Sequence, residues 1–208
     1  MGKTFSSKIG IVDYRMGNIH SVKKAVEFCG GSTKVITHPK DLKNMDKIIL
    51  PGVGGFGEAI DNLKRLKLYD CLLDYLFSGK IFLGICLGMQ ILFERSQEAK
   101  GKKGLAILKG EILRFKSKGN LKVPHMGWNN IVIKKNSPLL KGISPNAYVY
   151  FCHSYYPEVL EKEIICATTD YVVEFACAIQ KENIYGLQFH PEKSQEVGLK
   201  IIKNFIRL

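Results

Sequence analysis

The sequence predicts a single mixed α/β domain: a central, mostly parallel sheet flanked by helices, with an antiparallel β portion in the second half. Three observations lead there. In the first half, short β-branched runs alternate with helical patterns, as parallel strands joined by crossover helices do. Past residue 110, strand-like runs follow one another with connections too short for a crossover, so their neighbours must be antiparallel. The final stretch, EVGLKIIKNFIR (196–207), puts Val197, Ile201, Ile202 and Phe205 on one face of an amphipathic helix.

Taken in order, Lys8–Val12 (KIGIV) reads as a buried strand. NIHSVKKAVEFC (18–29) then sets Ile19, Val22, Val26 and Cys29 on one helical face before a Gly30-Gly31 stop. Residues 33–37 and 47–50 are further strands, and 59–66 and 69–77 helices. The apolar strand 80–85 runs into a helix expected over 87–94. Strands follow at 111–115, 130–134, 147–151, 164–169, 175–180 and 184–189. No linker or internal repeat interrupts residues 8–208, which are read as one domain; residues 1–7 are expected to be a disordered extension.

Composition excludes several classes. With 208 residues, 46% hydrophobic and 24% charged, the chain is large enough for a core without staples, and 20 Gly with 7 Pro are too few for a low-complexity chain. No apolar run approaches a membrane span, and the start MGKTFSSKIGIVDY lacks a secretory signal, so a cytoplasmic location is expected. The six cysteines lack paired short spacings, and no disulfide framework is expected; Cys29, Cys71, Cys166 and Cys177 lie in apolar stretches and read as core. The net charge of +12 comes largely from residues 100–122, where eight basic residues face one acid, Glu111. Only Phe115 offers a ring there, so base stacking is poorly served and nucleic-acid binding is a remote alternative.

The chemistry concentrates elsewhere. Gly84-Ile85-Cys86-Leu87-Gly88 has the form Gly-x-nucleophile-x-Gly between a strand and a helix, where a sharp turn exposes the side chain and glycines remove clashing Cβ atoms. At a helix start the thiol would meet unpaired N–H groups that favour the thiolate. A base is offered by His190, which ends an apolar strand. Glu192 lies two residues on, where extended chain would present both groups on one side. Glu192 could orient His190 while His190 takes the proton of Cys86. The loop PGVGGFG (51–57) and the N–H of Leu87 are candidate oxyanion donors; the loop lacks the spacing of a dinucleotide site and any Walker lysine. Neither cofactor nor metal is expected.

With these elements in place, the chain resembles the triad (class I) glutamine amidotransferases, GICLGMQ (84–90) matching their nucleophile motif and GLQFHPEKS (186–194) their His-Glu motif. The segments IVDYRMGNIHSV (11–22), VPHMGWN (123–129) and YFCHSYYP (150–157) are similar to those of the glutaminase subunits of imidazole glycerol phosphate synthase. The resemblance implies a thioester on Cys86, with His190 as base and then acid and Glu192 as its orienter. It implies oxyanion stabilisation by Gly52, Val53 and Leu87, and a glutamine site from Gly52, Gln90, Glu98, Ser154 and Tyr155. It also implies a partner cyclase, a (β/α)8 barrel, in a heterodimer met by Asn18, Trp128, Tyr150 and Lys193, to which ammonia would travel for histidine biosynthesis. Read without it, Trp128 could equally be core and Lys193 a solvated charge. His125 and His153, with no carboxylate near in sequence, read as structural or supporting rather than catalytic. Gly54 and Gly55 permit a peptide flip, so the oxyanion site is expected to be completed by the partner. Arg15 stands where the family commonly has Gly, and an alternative role, supplying ammonia for amidation of a surface sugar, stays open.

Overall fold

The apolar runs of the first half become strands that turn alternate side chains to two helical layers. The computed structural model describes residues 7–117, 119 and 121–208. Its first half runs β1 (Lys8–Val12), α1 (Ile19–Phe28), β2 (Ser32–Ile36), α2 (Pro39–Leu42), β3 (Lys47–Gly52), α3 (Phe56–Arg65), α4 (Tyr69–Phe77), β4 (Ile81–Cys86) and α5 (Leu87–Gln90). There follow β5 (Phe93–Ser96), β6 (Leu108–Arg114), β7 (His125–Asn130), β8 (Val132–Ile133), β9 (Tyr148–His153) and β10 (Tyr155–Val159). The chain closes with β11 (Ile165–Tyr171), β12 (Val173–Lys181), β13 (Ile184–Leu187) and α6 (Gln195–Arg207).

The main sheet has eight strands in the order β2-β1-β3-β4-β13-β12-β11-β8. Pairing is parallel from β2 to β13 and antiparallel from β13 to β8. Strands β10-β6-β5 and β7-β9 form smaller sheets. Ile48 and Leu50 of β3 pack with Ile60, Leu63, Leu72 and Leu76 of α3 and α4, while Ile49 turns to Val22, Val26, Ile201 and Phe205 of α1 and α6. Each fully buried aliphatic side chain is worth about 1.5–3 kcal/mol, so this division between two cores fixes the register of the sheet. Asn18 caps α1, its Oδ1 accepting the Ser21 N–H at 3.2 Å. Lys47 holds the other end of the chain: its buried Nζ donates to the carbonyls of Phe205 (3.3 Å) and Ile206 (2.5 Å) at the last turn of α6.

The expected fold class and the alternation of elements are present. The helix expected over 87–94 is not: α5 stops at Gln90, and Phe93–Ser96 is strand β5. Ile91, Leu92 and Phe93 are all fully buried, so their hydrophobicity cannot distinguish the two conformations, and pairing with β6 decides. Strands β7 and β10 were not expected, and the strand over 130–134 shrinks to β8. Cys166 and Cys177 are buried, but Cys29 and Cys71 are only half-buried, packed against the two cores rather than within them. Among the described residues no helix is long and apolar enough to cross a membrane. The extension read over residues 1–7 lies, apart from Ser7, outside the described residues, as does Lys118 of the basic cluster.

Candidate active site

The carboxyl ends of β3, β4 and β13 bring three loops together, the edge at which open α/β sheets present ligand sites. Gly52 at the end of β3 lies in register with Cys86 at the end of β4. Cys86 has φ 54° and ψ −111°, a region a side chain adopts at a cost of about 1–3 kcal/mol. Two glycines make the bend possible. A Cβ on Gly88 would sit 1.8 Å from the Leu50 carbonyl oxygen, and one on Gly84 would sit 2.6 Å from that of Gly88. Because α5 spans only four residues, its dipole is a weaker support for a thiolate than a full helix would be.

The stronger support is His190. Strand β13 ends at Leu187, and His190 stands in extended backbone just before a 3₁₀ turn, Pro191–Lys193. The His-Glu pair is therefore closed by a tight turn rather than by continuing strand, which corrects the sequence expectation. Nδ1 of His190 and Oε1 of Glu192 are 2.8 Å apart with both side chains almost fully buried. Burial alone would strip His190 of its proton. The charge of a Cys86 thiolate and hydrogen bonds with Cys86 and Glu192 outweigh burial and push its pKa up to about 10. Strand β9 holds this turn in place: the Tyr150 carbonyl accepts the His190 N–H at 2.9 Å, and the Tyr150 N–H donates to Ser194 Oγ at 3.0 Å.

Cys86 opens into a cavity of about 300 Å³, at the small end of the range for ligand pockets. Val53, Leu87, Gln90, Glu98, Ser154, Tyr155 and His190 line it, so nearly all the residues singled out in the sequence share one space. Gly52 lies behind, where a Cβ would strike the Tyr14 hydroxyl at 2.2 Å. Glu98 has a second task, its Oε2 accepting the Phe56 N–H that starts α3 at 2.7 Å.

Sequence reasoning missed a polar network beside the thiol. Gln188 Nε2 donates to Cys86 Sγ at 3.6 Å, and Gln188 Oε1 accepts from Gln90 Nε2 at 3.0 Å. Gln90 Nε2 also donates to the Tyr155 carbonyl at 3.0 Å. The period of two that relates His190 to Gln188 was the available signal. His153, which also lines the cavity, and His125 complete the network from the far side.

Both rings are held neutral. Burial pushes His125 down to about 4. It pushes His153 down to about 3, helped by the His125 and His190 charges and opposed by a hydrogen bond with the Tyr155 carbonyl. Unfolded histidine binds its proton near pH 6.5. Because the folded values are lower, the stability these rings contribute is complete above pH 6.5 and is lost as pH falls toward 4. Urea titrations are expected to show stability dropping by about 1–3 kcal/mol per pH unit between pH 6.5 and 4.5. His153→Phe should show a shallower slope; an unchanged slope would mean that these rings are not the groups responsible.

Comparison with known proteins agrees with this geometry. Residues 10–208 match the family model described as glutamine amidotransferase class-I. The chain is 49% identical over 197 residues to the imidazole glycerol phosphate synthase subunit HisH of Caldanaerobacter subterraneus, covering 95% of this chain and 96% of that protein. The HisH protein of Bacillus subtilis is 47% identical over 204 residues, covering 96% of each chain. The chain belongs to the HisH family of class I glutamine amidotransferases. Among solved structures, PurLQS from Thermotoga maritima superposes with a TM-score of 0.77 at 20% identity, over 97% of this chain and 98% of that one. A glutamine amidotransferase superposes with a TM-score of 0.75 at 14% identity, over 96% and 99%. At such identities the likeness shows the fold.

The family assignment gives meaning to an exposed patch. Trp128 is 47% exposed, which removes the alternative of a core tryptophan. It pairs across β7 and β9 with Tyr150, ring centroids 6.2 Å apart, and Lys193 Nζ lies 5.6 Å over the Tyr150 ring. Met126 and Tyr148 on the same two strands are also exposed. Three of the four residues expected at the interface thus stand together, and of these Lys193 lines the cavity, while Asn18 caps α1. Arg15 adopts φ 71°, the left-handed region that favours glycine, with its exposed guanidinium 3.9 Å from Asp13.

Proposed function

We propose that this HisH family member hydrolyses glutamine and passes the ammonia to a partner cyclase, a (β/α)8 barrel, in a cytoplasmic heterodimer that makes imidazole glycerol phosphate and AICAR for histidine biosynthesis. One observation carries the reading: a cysteine in a strained elbow, a buried His-Glu pair and a cavity lined by Gln90 and Glu98 converge near an exposed aromatic patch.

The Cys86 thiolate, paired with protonated His190, attacks the side-chain carbonyl carbon of glutamine. The negative charge that develops on the amide oxygen is met by backbone N–H groups of Leu87 and the Val53 loop, where Gly54 at φ 99° permits the peptide to turn. His190 gives its proton to the amide nitrogen, the C–N bond breaks, and ammonia leaves a glutamyl thioester. His190 then takes a proton from water, whose oxygen displaces the thiolate and releases glutamate. Glu192 keeps the ring oriented and its cation stabilised throughout. Gln90, whose amide nitrogen is held by Tyr155 and Gln188, offers its carbonyl oxygen to the ligand, and the backbone of Ser154 and Tyr155 receives the α-amino acid end.

Placing Lys193 both on the cavity wall and over Tyr150 gives a bound partner a direct hold on the catalytic turn. Glutamate release by the isolated chain is therefore expected to be slow and to rise by about ten- to a hundredfold when the cyclase and its ribonucleotide ligand are added. Release that is fast alone and indifferent to the cyclase would contradict the reading.

A further inference from the structure

A chain of hydrogen bonds runs from the half-buried end of β7 to the wall of the cavity, and its donor directions leave no free choice. The Asn130 N–H donates to Asn129 Oδ1 at 2.9 Å, which fixes the orientation of that amide. Asn129 Nδ2 then donates to the Asp170 carbonyl at 2.9 Å and faces His125 Nε2 at 3.3 Å, so that Nε2 must accept. At the other end His153 Nδ1 lies 2.8 Å from the Tyr155 carbonyl, which can only accept, so this Nδ1 carries the proton. Between them His125 Nδ1 and His153 Nε2 are 3.0 Å apart. With one proton per ring, His125 Nδ1–H donates to His153 Nε2 and every atom is satisfied. A second proton on either ring would set two donors against each other.

We propose that His125 and His153 are positioning residues for the amide substrate: their relay fixes the Tyr155 carbonyl and, through it, the Gln90 carboxamide that meets glutamine. This rests on the glutaminase reading. The relay does more than fill space. Phe151 and Tyr171 stack on His125 at 4.6 and 4.0 Å, and Phe115 and Phe175 lie against His153 at 5.4 and 5.3 Å, a cage in which any flat ring would pack. Only imidazole supplies, in one ring, an acceptor for His125 and a donor for the Tyr155 carbonyl. Without that donor the carbonyl keeps Gln90 as its partner, but the Gln90 amide loses its fixed seat. Cys86, His190 and Glu192 are untouched, so binding should suffer and chemistry should not.

The test is steady-state glutaminase kinetics of the assembled two-subunit enzyme carrying His153→Phe, which keeps the ring and removes both hydrogen bonds. KM for glutamine is expected to rise about tenfold with kcat within about threefold, the signature of lost ground-state binding. His153→Asn, which can return the donor to the Tyr155 carbonyl, should recover most of the loss. An unchanged KM, or a loss confined to kcat, would overturn the relay. A wild-type complex that releases no glutamate would instead overturn the glutaminase reading, and the relay with it. A further measurement is independent of how the variants fold: ring-nitrogen NMR of the wild-type complex at neutral pH should show both histidines neutral and protonated on Nδ1. A proton on Nε2 of either ring would overturn the assignment.

Discussion

Cys86→Ser is expected to lower glutamate release by about four orders of magnitude or more while leaving the fold intact. The substitution changes one atom. The strained backbone at φ 54°, the glycines that permit it and the His190–Glu192 contact at 2.8 Å all remain. What disappears is the ion pair, since a hydroxyl cannot supply the anion that holds His190 charged, and His190 would lose the largest influence opposing its burial. The free energy of unfolding should fall by no more than about 3 kcal/mol, because the buried pair is lost while neither side chain fills the space differently. A serine variant retaining a tenth of the activity would mean that the nucleophile lies elsewhere.

Gly88→Ala should be the most damaging single methyl group in the molecule. Helix propensity alone would favour alanine there by about 0.5–1 kcal/mol. Against this stands a Cβ placed 1.8 Å from the Leu50 carbonyl oxygen, which belongs to strand β3 and cannot swing aside as a side chain can. Either β3 or the elbow must move. The expected result is a loss of about 3 kcal/mol or more in urea unfolding, together with loss of glutaminase activity, because the same shift misplaces Cys86 against the oxyanion loop. A stable and active Gly88→Ala enzyme would refute the close packing of α5 on β3 that shapes the elbow.

How much of this could be read in the sequence follows from how local each feature is. The strands β1, β3, β4 and β13 announce themselves because parallel strands buried on both faces are nearly continuous apolar runs. The elbow and the His-Glu turn are equally legible, since spacing over a few residues encodes them. Strand β5 was hidden because Ile91, Leu92 and Phe93 are buried whichever way the backbone runs. Strands β7 and β10 carry glycine, asparagine, histidine and proline, poor strand formers that are held by pairing with β9 and β6 across long stretches of chain. The role of His125 was invisible for the same reason. Its partners Asn129, His153 and Tyr171 come from three strands, and only the fold brings them to one ring. Trp128 shows the converse case, a large aromatic that the sequence could assign to core or surface and that burial assigns to the surface.

Whether Cys86 carries the glutamyl group is the claim on which the rest depends. Rapid acid quench of the assembled enzyme during turnover, followed by peptide mass spectrometry, measures it directly. The expected result is a mass gain of one glutamyl group on the peptide containing Cys86, labile to hydroxylamine as a thioester is, and absent from a Cys86→Ala variant. Turnover with no adduct at Cys86, or with the glutamyl group on another residue, would contradict it.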